Sequence, residues 1–234
     1  MTEGAATNIS PVLINLLIRY LNQQKELYGN EYFLEKSVAE QLVGILSPSP
    51  QTLEELYQEM KNCQRCELSR SRTHLVFGAG NPHAKLMLIG EAPGQEEDLR
   101  GEPFVGRAGM LLTKILQSIN MKREDVYIAN ILKCRPPHNR DPLPHEVEKC
   151  EPYLKKQIEI IRPKVILALG RIAAQTLLKT TKSLKELRGK VHYYQGIKLV
   201  VTFHPAALLR NPQWKRPTWE DVQFLRRIYD EQVA

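Results

Sequence analysis

Four short apolar runs alternate with helical patterns through most of the chain, and this alternation constrains the fold more than any other feature. Each run is too short for a helix and is followed at once by glycine or a polar residue, as buried strands commonly are. The runs cover residues 85–89, 126–129, 164–169 and 199–203. Strands that alternate with helices favour a parallel sheet covered on both faces. The sequence therefore predicts a three-layer α/β/α fold around a central four-stranded, mostly parallel sheet.

The patterns also divide the chain near residue 50. Pro11 is typical of a first helical position, and apolar side chains follow it at helical spacing. The Ser-Pro-Ser-Pro run at 47–50 is typical of a linker. We therefore expect an N-terminal helical extension with a Ser/Pro linker over residues 1–50, and the main α/β domain over residues 51–234.

Polar side chains follow three of the four predicted strands. Glu91, Asn130 and His204 each come directly after the strand that precedes them in the chain. The carboxyl ends of parallel strands meet at one edge of a sheet, which is where ligands bind in open α/β folds. The sequence therefore predicts that these three side chains share one site.

Charge and motif spacing narrow the classes of function. The formal net charge of +7 suits a polyanionic partner, although a solvated basic surface is the simpler explanation. The segment 101–108 superficially resembles a phosphate-binding loop, but Arg107 and Ala108 stand where that loop needs Lys and Ser or Thr. We therefore exclude a nucleoside-triphosphatase and expect no nucleotide cofactor.

Neither a signal peptide nor a membrane span is expected. The first residues have no basic start followed by an apolar run, and no apolar stretch approaches the roughly 20 residues that cross a bilayer. We expect a cytoplasmic protein, where reduced cysteines bind metals or react more often than they form disulfides.

The four cysteines have the spacing of metal ligands. Cys63 and Cys66 form one close pair, whereas Cys134 and Cys150 are separated from it and from each other. Zinc sites commonly use two close pairs, and iron–sulfur clusters accept one close pair with two dispersed ligands. Spacing alone leaves zinc, an iron–sulfur cluster and no metal all open.

Four segments together resemble the motifs of the type-4 uracil-DNA glycosylases, an iron–sulfur branch of the uracil-DNA glycosylase superfamily. The segments are GEAPGQEED at 90–98, PFVGRAG at 103–109, NILKCRPP at 130–137 and HPAALLRNP at 204–212. The resemblance begins near Thr52 and continues to the C-terminus. It implies a 4Fe–4S cluster held by Cys63, Cys66, Cys134 and Cys150. It also implies that the protein flips uracil out of single- or double-stranded DNA and hydrolyses its N-glycosidic bond.

The resemblance assigns roles motif by motif. Phe104 would stack on the extruded uracil, Asn130 would read its Watson–Crick edge, and His204 would hydrogen-bond a uracil carbonyl. Glu91 would orient water or stabilise the sugar cation, and Glu97 would crowd the position of a thymine methyl. The remaining implied residues are Gly90, Ala92 and Gly94 around the base, and Leu208, Leu209 and Arg210 as a wedge in the duplex.

Side chains of the basic surface are candidates for sequence-independent contacts to phosphates. They are Arg70, Arg72, Lys133, Arg135, Arg140 and Arg210. We expect the protein to be a monomer.

The residues leave one question of mechanism and two other functions open. The superfamily's best-known branch has a water-activating aspartate where this chain has Ala92, so the group that handles water is unassigned. The first alternative function is a DNA-binding module that is cross-linked by a metal and has no catalytic activity. A superfamily member acting on other deaminated bases, such as hypoxanthine or xanthine, is the second.

Overall fold

The computed structural model describes residues 11–28 and 52–233, and the chain divides into two units, Met1–Ser49 and Pro50–Ala234. The first unit contains helix α1, Pro11–Tyr28, which begins at the predicted proline. The Ser/Pro linker at 47–50 lies outside the described residues. The domain boundary placed at residue 50 stays a prediction.

Within residues 52–233 the second unit forms one six-stranded sheet in the order β1-β3-β2-β4-β6-β5. Strands β2, β3, β4 and β6 are parallel, and β1 and β5 pair antiparallel at the two edges. The strands are β1 Ala79–Gly80, β2 Leu86–Gly90, β3 Tyr127–Asn130, β4 Val165–Leu169, β5 His192–Tyr194 and β6 Ile197–Thr202.

The predicted fold class is confirmed, with six strands in place of four. The four predicted strands are the parallel centre of the sheet, whose side chains are almost all buried. Strand β5 is the first arm of a hairpin with β6. Strand β1 has only two residues, which is too short to give a periodic pattern in the sequence.

Helices cover both faces of the sheet. On one face Leu154 and Ile158 pack with Ala173 against Met87 and Ile89. Because successive strand residues point to opposite faces, the neighbouring strand residues pack against the helices on the other face. The helices are α2 Leu53–Met60, α3 Gln95–Arg100, α4 Arg107–Gln117, α5 Pro144–Ile161, α6 Arg171–Leu178, α7 Leu184–Leu187, α8 Pro205–Arg210 and α9 Lys215–Val233.

Local sequence explains where two helices begin. Helix α2 starts with a capping box, in which Thr52 Oγ1 accepts from the Glu55 N–H at 3.1 Å and the Glu55 carboxylate accepts from the Thr52 N–H at 3.2 Å. Helix α5 opens on Pro144, whose missing N–H costs nothing at a first helical position. Within the two described segments, every helix falls short of the length or the apolar character needed to cross a bilayer.

Candidate active site

The carboxyl ends of three parallel strands open into one cavity of about 330 Å³. Gly90 at the end of β2 is paired in register with Asn130 at the end of β3, and His204 follows β6. Arg140, predicted to contact phosphates, lines this cavity, as do eight of the predicted site residues. They are Glu91, Ala92, Gly94, Glu97, Phe104, Asn130, His204 and Arg210.

The Asn130 side chain is buried with its hydrogen-bonding groups unpaired. The residue is 1% exposed, and neither Oδ1 nor Nδ2 has a hydrogen-bond partner among the described residues. Its backbone is fixed, because its carbonyl oxygen accepts from Lys133 Nζ at 2.8 Å. A buried amide without partners costs stability, so such a group commonly serves a ligand.

The Phe104 ring packs between the strand ends. Its centroid lies 5.4 Å from that of His204, with the planes inclined by 31°. A Cβ on Gly90 would lie 2.7 Å from Phe104 Cζ and 2.4 Å from Asn130 Oδ1, so this position has room only for glycine. Phe104 itself adopts the left-handed conformation at φ 54°, which costs a residue of its size about 1–3 kcal/mol.

Contacts on both sides hold this strained turn. Glu97 Oε1 accepts from the N–H groups of Val105 and Gly106, both at 2.9 Å. From the other side, Arg123 donates to the carbonyls of Phe104 and Pro103, at 3.1 and 3.0 Å. Glu97 therefore lines the cavity and also supports the loop that carries the ring.

His204 is neutral near pH 7 and has one defined tautomer. Burial, together with the nearby Arg210, lowers its pKa to about 4, and Glu97 opposes this shift. The Ala206 N–H donates to His204 Nδ1 at 3.2 Å, which places the ring proton on Nε2. The imidazole therefore presents an N–H donor while carrying no charge.

Glu91 is a carboxyl group poised to change its charge near neutral pH. Burial raises its pKa to about 7, with a further contribution from Asp141, while Arg171 opposes the shift. Arg171 Nη2 donates to Asp141 Oδ2 at 2.7 Å, which partly neutralises the second carboxylate. Glu91 is thus a candidate for the group that handles a proton or a cation in this cavity.

The structure separates the three residues predicted to form a wedge. Leu208 is 1% exposed and packs in the interior, whereas Leu209 is 47% exposed on α8. Arg210, at the end of the same helix, lines the cavity. Leu208 is therefore not exposed for insertion into a duplex in this structure, whereas Leu209 on the same helix is.

One predicted phosphate contact, Lys133, is wrong, and another, Arg140, has an acidic partner. Lys133 is fully buried, with Nζ donating to the Asn130 carbonyl and to Gln157 Oε1 at 2.6 Å, so it does not meet solvent. Arg140 lines the cavity and also donates to both carboxylate oxygens of the buried Glu146, at 2.6 and 2.8 Å.

One wall of the cavity was not identified from the sequence. It comes from the loop after Cys134 and includes Pro136, Asn139 and Asp141. Asn139 takes a left-handed conformation at φ 54°. The prolines in this loop indicate irregular backbone without specifying its path.

The four cysteines line a second, smaller pocket. Arg72 Nη1 donates to Cys134 Sγ at 3.2 Å, and the Lys133 N–H donates to Cys150 Sγ at 3.3 Å. Burial raises the pKa of the Cys134 thiol, and it raises the pKa of the Cys150 thiol to about 12. Among the described residues, no three His, Cys, Asp or Glu side chains form a recognisable site for a metal ion.

Comparison with known proteins agrees with this arrangement. The sequence profile of the uracil DNA glycosylase superfamily matches residues 77–224. A type-4 uracil-DNA glycosylase from Archaeoglobus fulgidus is 48% identical over 186 residues, covering 76% of this chain and 94% of the relative. Another from Saccharolobus solfataricus is 46% identical over 183 residues, covering 74% and 85%. A type-5 uracil-DNA glycosylase from Pyrobaculum aerophilum is 32% identical over 168 residues, covering 63% and 72%.

Proposed function

The chain belongs to the type-4 family of the uracil-DNA glycosylase superfamily, as its motifs predicted, and we propose the steps by which it excises uracil from DNA. It is a DNA repair enzyme that acts on an N-glycosyl bond. In the proposed reaction, water hydrolyses the bond between uracil and deoxyribose, which releases free uracil and leaves an abasic site. The observation that carries this proposal is the buried, unpaired Asn130 amide beside an aromatic ring in a cavity.

Base recognition falls to Asn130 and Phe104. Uracil presents an N–H donor next to a carbonyl acceptor on its Watson–Crick edge, which matches an amide that offers Oδ1 and Nδ2. Cytosine presents the opposite pattern at these positions, so an amide held in one orientation would be left unpaired by cytosine and would reject it. Stacking on the Phe104 ring offsets part of the cost of taking the base out of the duplex.

His204 and Glu91 serve the two charges that develop as the bond breaks. The departing uracil becomes negative, and the neutral His204 donates its Nε2 proton toward a uracil carbonyl to stabilise that charge. The deoxyribose becomes positive, and the ionised Glu91 stabilises it or orients the attacking water. Burial keeps His204 uncharged near pH 7, whereas Glu91 is fully ionised only above its pKa of about 7.

Glu97 supports discrimination against thymine. Its carboxylate is held by two backbone N–H groups at the cavity wall and is not free to swing away. We propose that it occupies the space that a methyl group at C5 of the base would need. Gly90, Ala92 and Gly94 supply the close backbone that lets the base approach.

We propose that Cys63, Cys66, Cys134 and Cys150 hold a 4Fe–4S cluster. The residues around them suit such a group, because two N–H donors already point at sulfur atoms and Leu68 and Leu132 pack beside the cysteines. When bound, the cluster supplies a cross-link between the segment after α2 and the loop that forms one wall of the cavity. A set of four thiolates is compatible with the reducing cytoplasm, where we place the enzyme.

DNA binding combines the basic surface with the exposed Leu209. We propose that Leu209, in place of the buried Leu208, fills the gap left by the flipped base, with Arg210 beside it. The enzyme would act as a monomer on uracil-containing DNA, with phosphate contacts that do not depend on sequence.

A single-turnover excision assay tests the proposal. An end-labelled oligonucleotide with one uracil is incubated with excess protein, and abasic sites are then cleaved with alkali. We expect strand scission at uracil and none when thymine or cytosine replaces it. His204→Ala should reduce the excision rate by about 10²-fold or more while leaving DNA binding nearly unchanged. DNA binding without any scission would instead indicate a non-catalytic DNA-binding module.

A further inference from the structure

We propose that Arg123 is a positioning residue for uracil recognition, acting only through the backbone of Phe104. Arg123 does not line the cavity, and nothing in the motifs points to it. The inference rests on the proposed role of Phe104 as the stacking surface for the base.

Arg123 donates hydrogen bonds to two backbone carbonyls of the turn that carries Phe104. Nη1 donates to the Phe104 carbonyl at 3.1 Å and Nη2 donates to the Pro103 carbonyl at 3.0 Å. Two N–H groups of one planar guanidinium fix the orientation of two successive carbonyls. A lysine ammonium is a single point of charge and does not reproduce this geometry.

The turn needs such support because its conformation is unfavourable. Phe104 has φ 54°, a region that residues with a bulky side chain rarely adopt. Its carbonyl also packs closely against α4, where a Cβ on Gly109 would lie 1.8 Å from the oxygen. Helix α4 therefore confines the carbonyl on one side, and Arg123 holds it in place through hydrogen bonds.

The placement of the ring follows from this backbone. With φ 54° the Phe104 ring is buried against Gly90 and lies beside the His204 ring. A relaxed backbone would rotate the ring away from both. Arg123 is itself half-buried, and burial lowers its pKa, so a cation is kept partly out of water at this position.

The test pairs Arg123→Met with Arg226→Met as a matched control. Arg226 also uses Nη1 to hold a backbone carbonyl, that of Ile119 at 3.3 Å, but it does not contact the Phe104 turn. We expect Arg123→Met to lower the single-turnover excision rate about tenfold, equivalent to about 1.4 kcal/mol, and to weaken the protection against heat given by free uracil. Arg226→Met should change neither quantity.

A double-mutant cycle separates positioning from general support of the fold. In a Phe104→Ala background, Arg123→Met should change the excision rate by less than about twofold, because its effect is transmitted through the missing ring. Arg123→Lys should fall between the wild type and Arg123→Met, and it replaces Arg123→Met in the cycle if that variant does not fold.

Two results would overturn the inference. One is an equal loss of rate from Arg123→Met with and without the Phe104 ring. The other is a normal rate and normal uracil protection in Arg123→Met while the wild type is active. An inactive wild type would refute the proposed function instead, so the two failures are distinguishable.

Discussion

Replacing Asn130 by alanine should make the protein more stable and nearly inactive. The buried side chain leaves one donor group and one acceptor group without partners, and each costs about 1–3 kcal/mol of folding free energy. Alanine removes both groups, and the packing lost with the amide reduces the gain in stability by about 1 kcal/mol. The net expectation is an increase of about 1–5 kcal/mol in the free energy of unfolding.

Thermal unfolding followed by circular dichroism measures this change. A domain of this size gains roughly 2–4 °C in midpoint for each kcal/mol, so Asn130→Ala should unfold at least about 2 °C above the wild type. Its excision rate should fall by about 10²–10³-fold, as when a preorganised hydrogen-bonding group is removed. Free uracil should raise the midpoint of the wild type and leave that of the variant unchanged.

Asn211→Ala is the control, because the Asn211 Nδ2 group has a partner in the Ala207 carbonyl at 3.2 Å. Removing a satisfied amide should lower the midpoint. The reasoning is refuted by a lower midpoint for Asn130→Ala than for the wild type, since the amide would then contribute to folding and would not be reserved for a base.

Two further predictions concern the cavity, and a third concerns helix α8. The single-turnover rate should fall as the pH drops below about 7, because Glu91 is then protonated, and Glu91→Gln should give a slow rate without this dependence. Gly90→Ala should lower the single-turnover excision rate by about 10²-fold, because the new methyl group displaces the Asn130 amide. Circular dichroism should show that this variant is still folded. Leu209→Ala should slow excision from duplex DNA more than from single strands in parallel assays, whereas Leu208→Ala should instead lower stability by about 2–5 kcal/mol in urea unfolding.

The sequence predicted the centre of the fold because its strands are buried on both faces. Such strands are continuous apolar runs, and their ends are marked by an abrupt change to glycine or polar residues. Because parallel strands end at one edge, the convergence of Glu91, Asn130 and His204 could be expected before any coordinates were known. Phe104 could be placed only through the resemblance, since it lies in an irregular loop.

Burial of single side chains could not be read from the sequence. Leu208 and Leu209 are identical residues side by side on α8, and only the packing of that helix decides which one faces solvent. The sequence predicts Lys133 at the basic surface, and lysine is indeed almost never fully buried. Here Gln157 and the Asn130 carbonyl satisfy its ammonium inside the domain, which no local pattern indicates.

Cysteine spacing has a similar limit. One close pair and two dispersed cysteines fit several metals equally well, since spacing along the chain does not give distances between sulfur atoms. In the folded protein the four cysteines border one pocket, next to N–H donors from Arg72 and from the backbone of Lys133. The proposal of a 4Fe–4S cluster is supported by the family and by the donors around the sulfur atoms.

The cavity concentrates features that oppose stability, and this is the strongest physical argument for its function. The cavity at the ends of the strands contains four unusual groups. They are the unpaired Asn130 amide, Phe104 in a left-handed backbone conformation, the uncharged His204 imidazole and the Glu91 carboxyl with its raised pKa. The unpaired amide, the left-handed conformation of Phe104 and the raised pKa of the carboxyl are each unfavourable for the folded protein alone near pH 7. A uracil base would hydrogen-bond the Asn130 amide through its edge and stack on the Phe104 ring through its face. Binding would therefore supply stabilising contacts that the folded protein alone does not have. The rigid core of β2, β3 and β6 is what keeps such a site from relaxing before the base arrives.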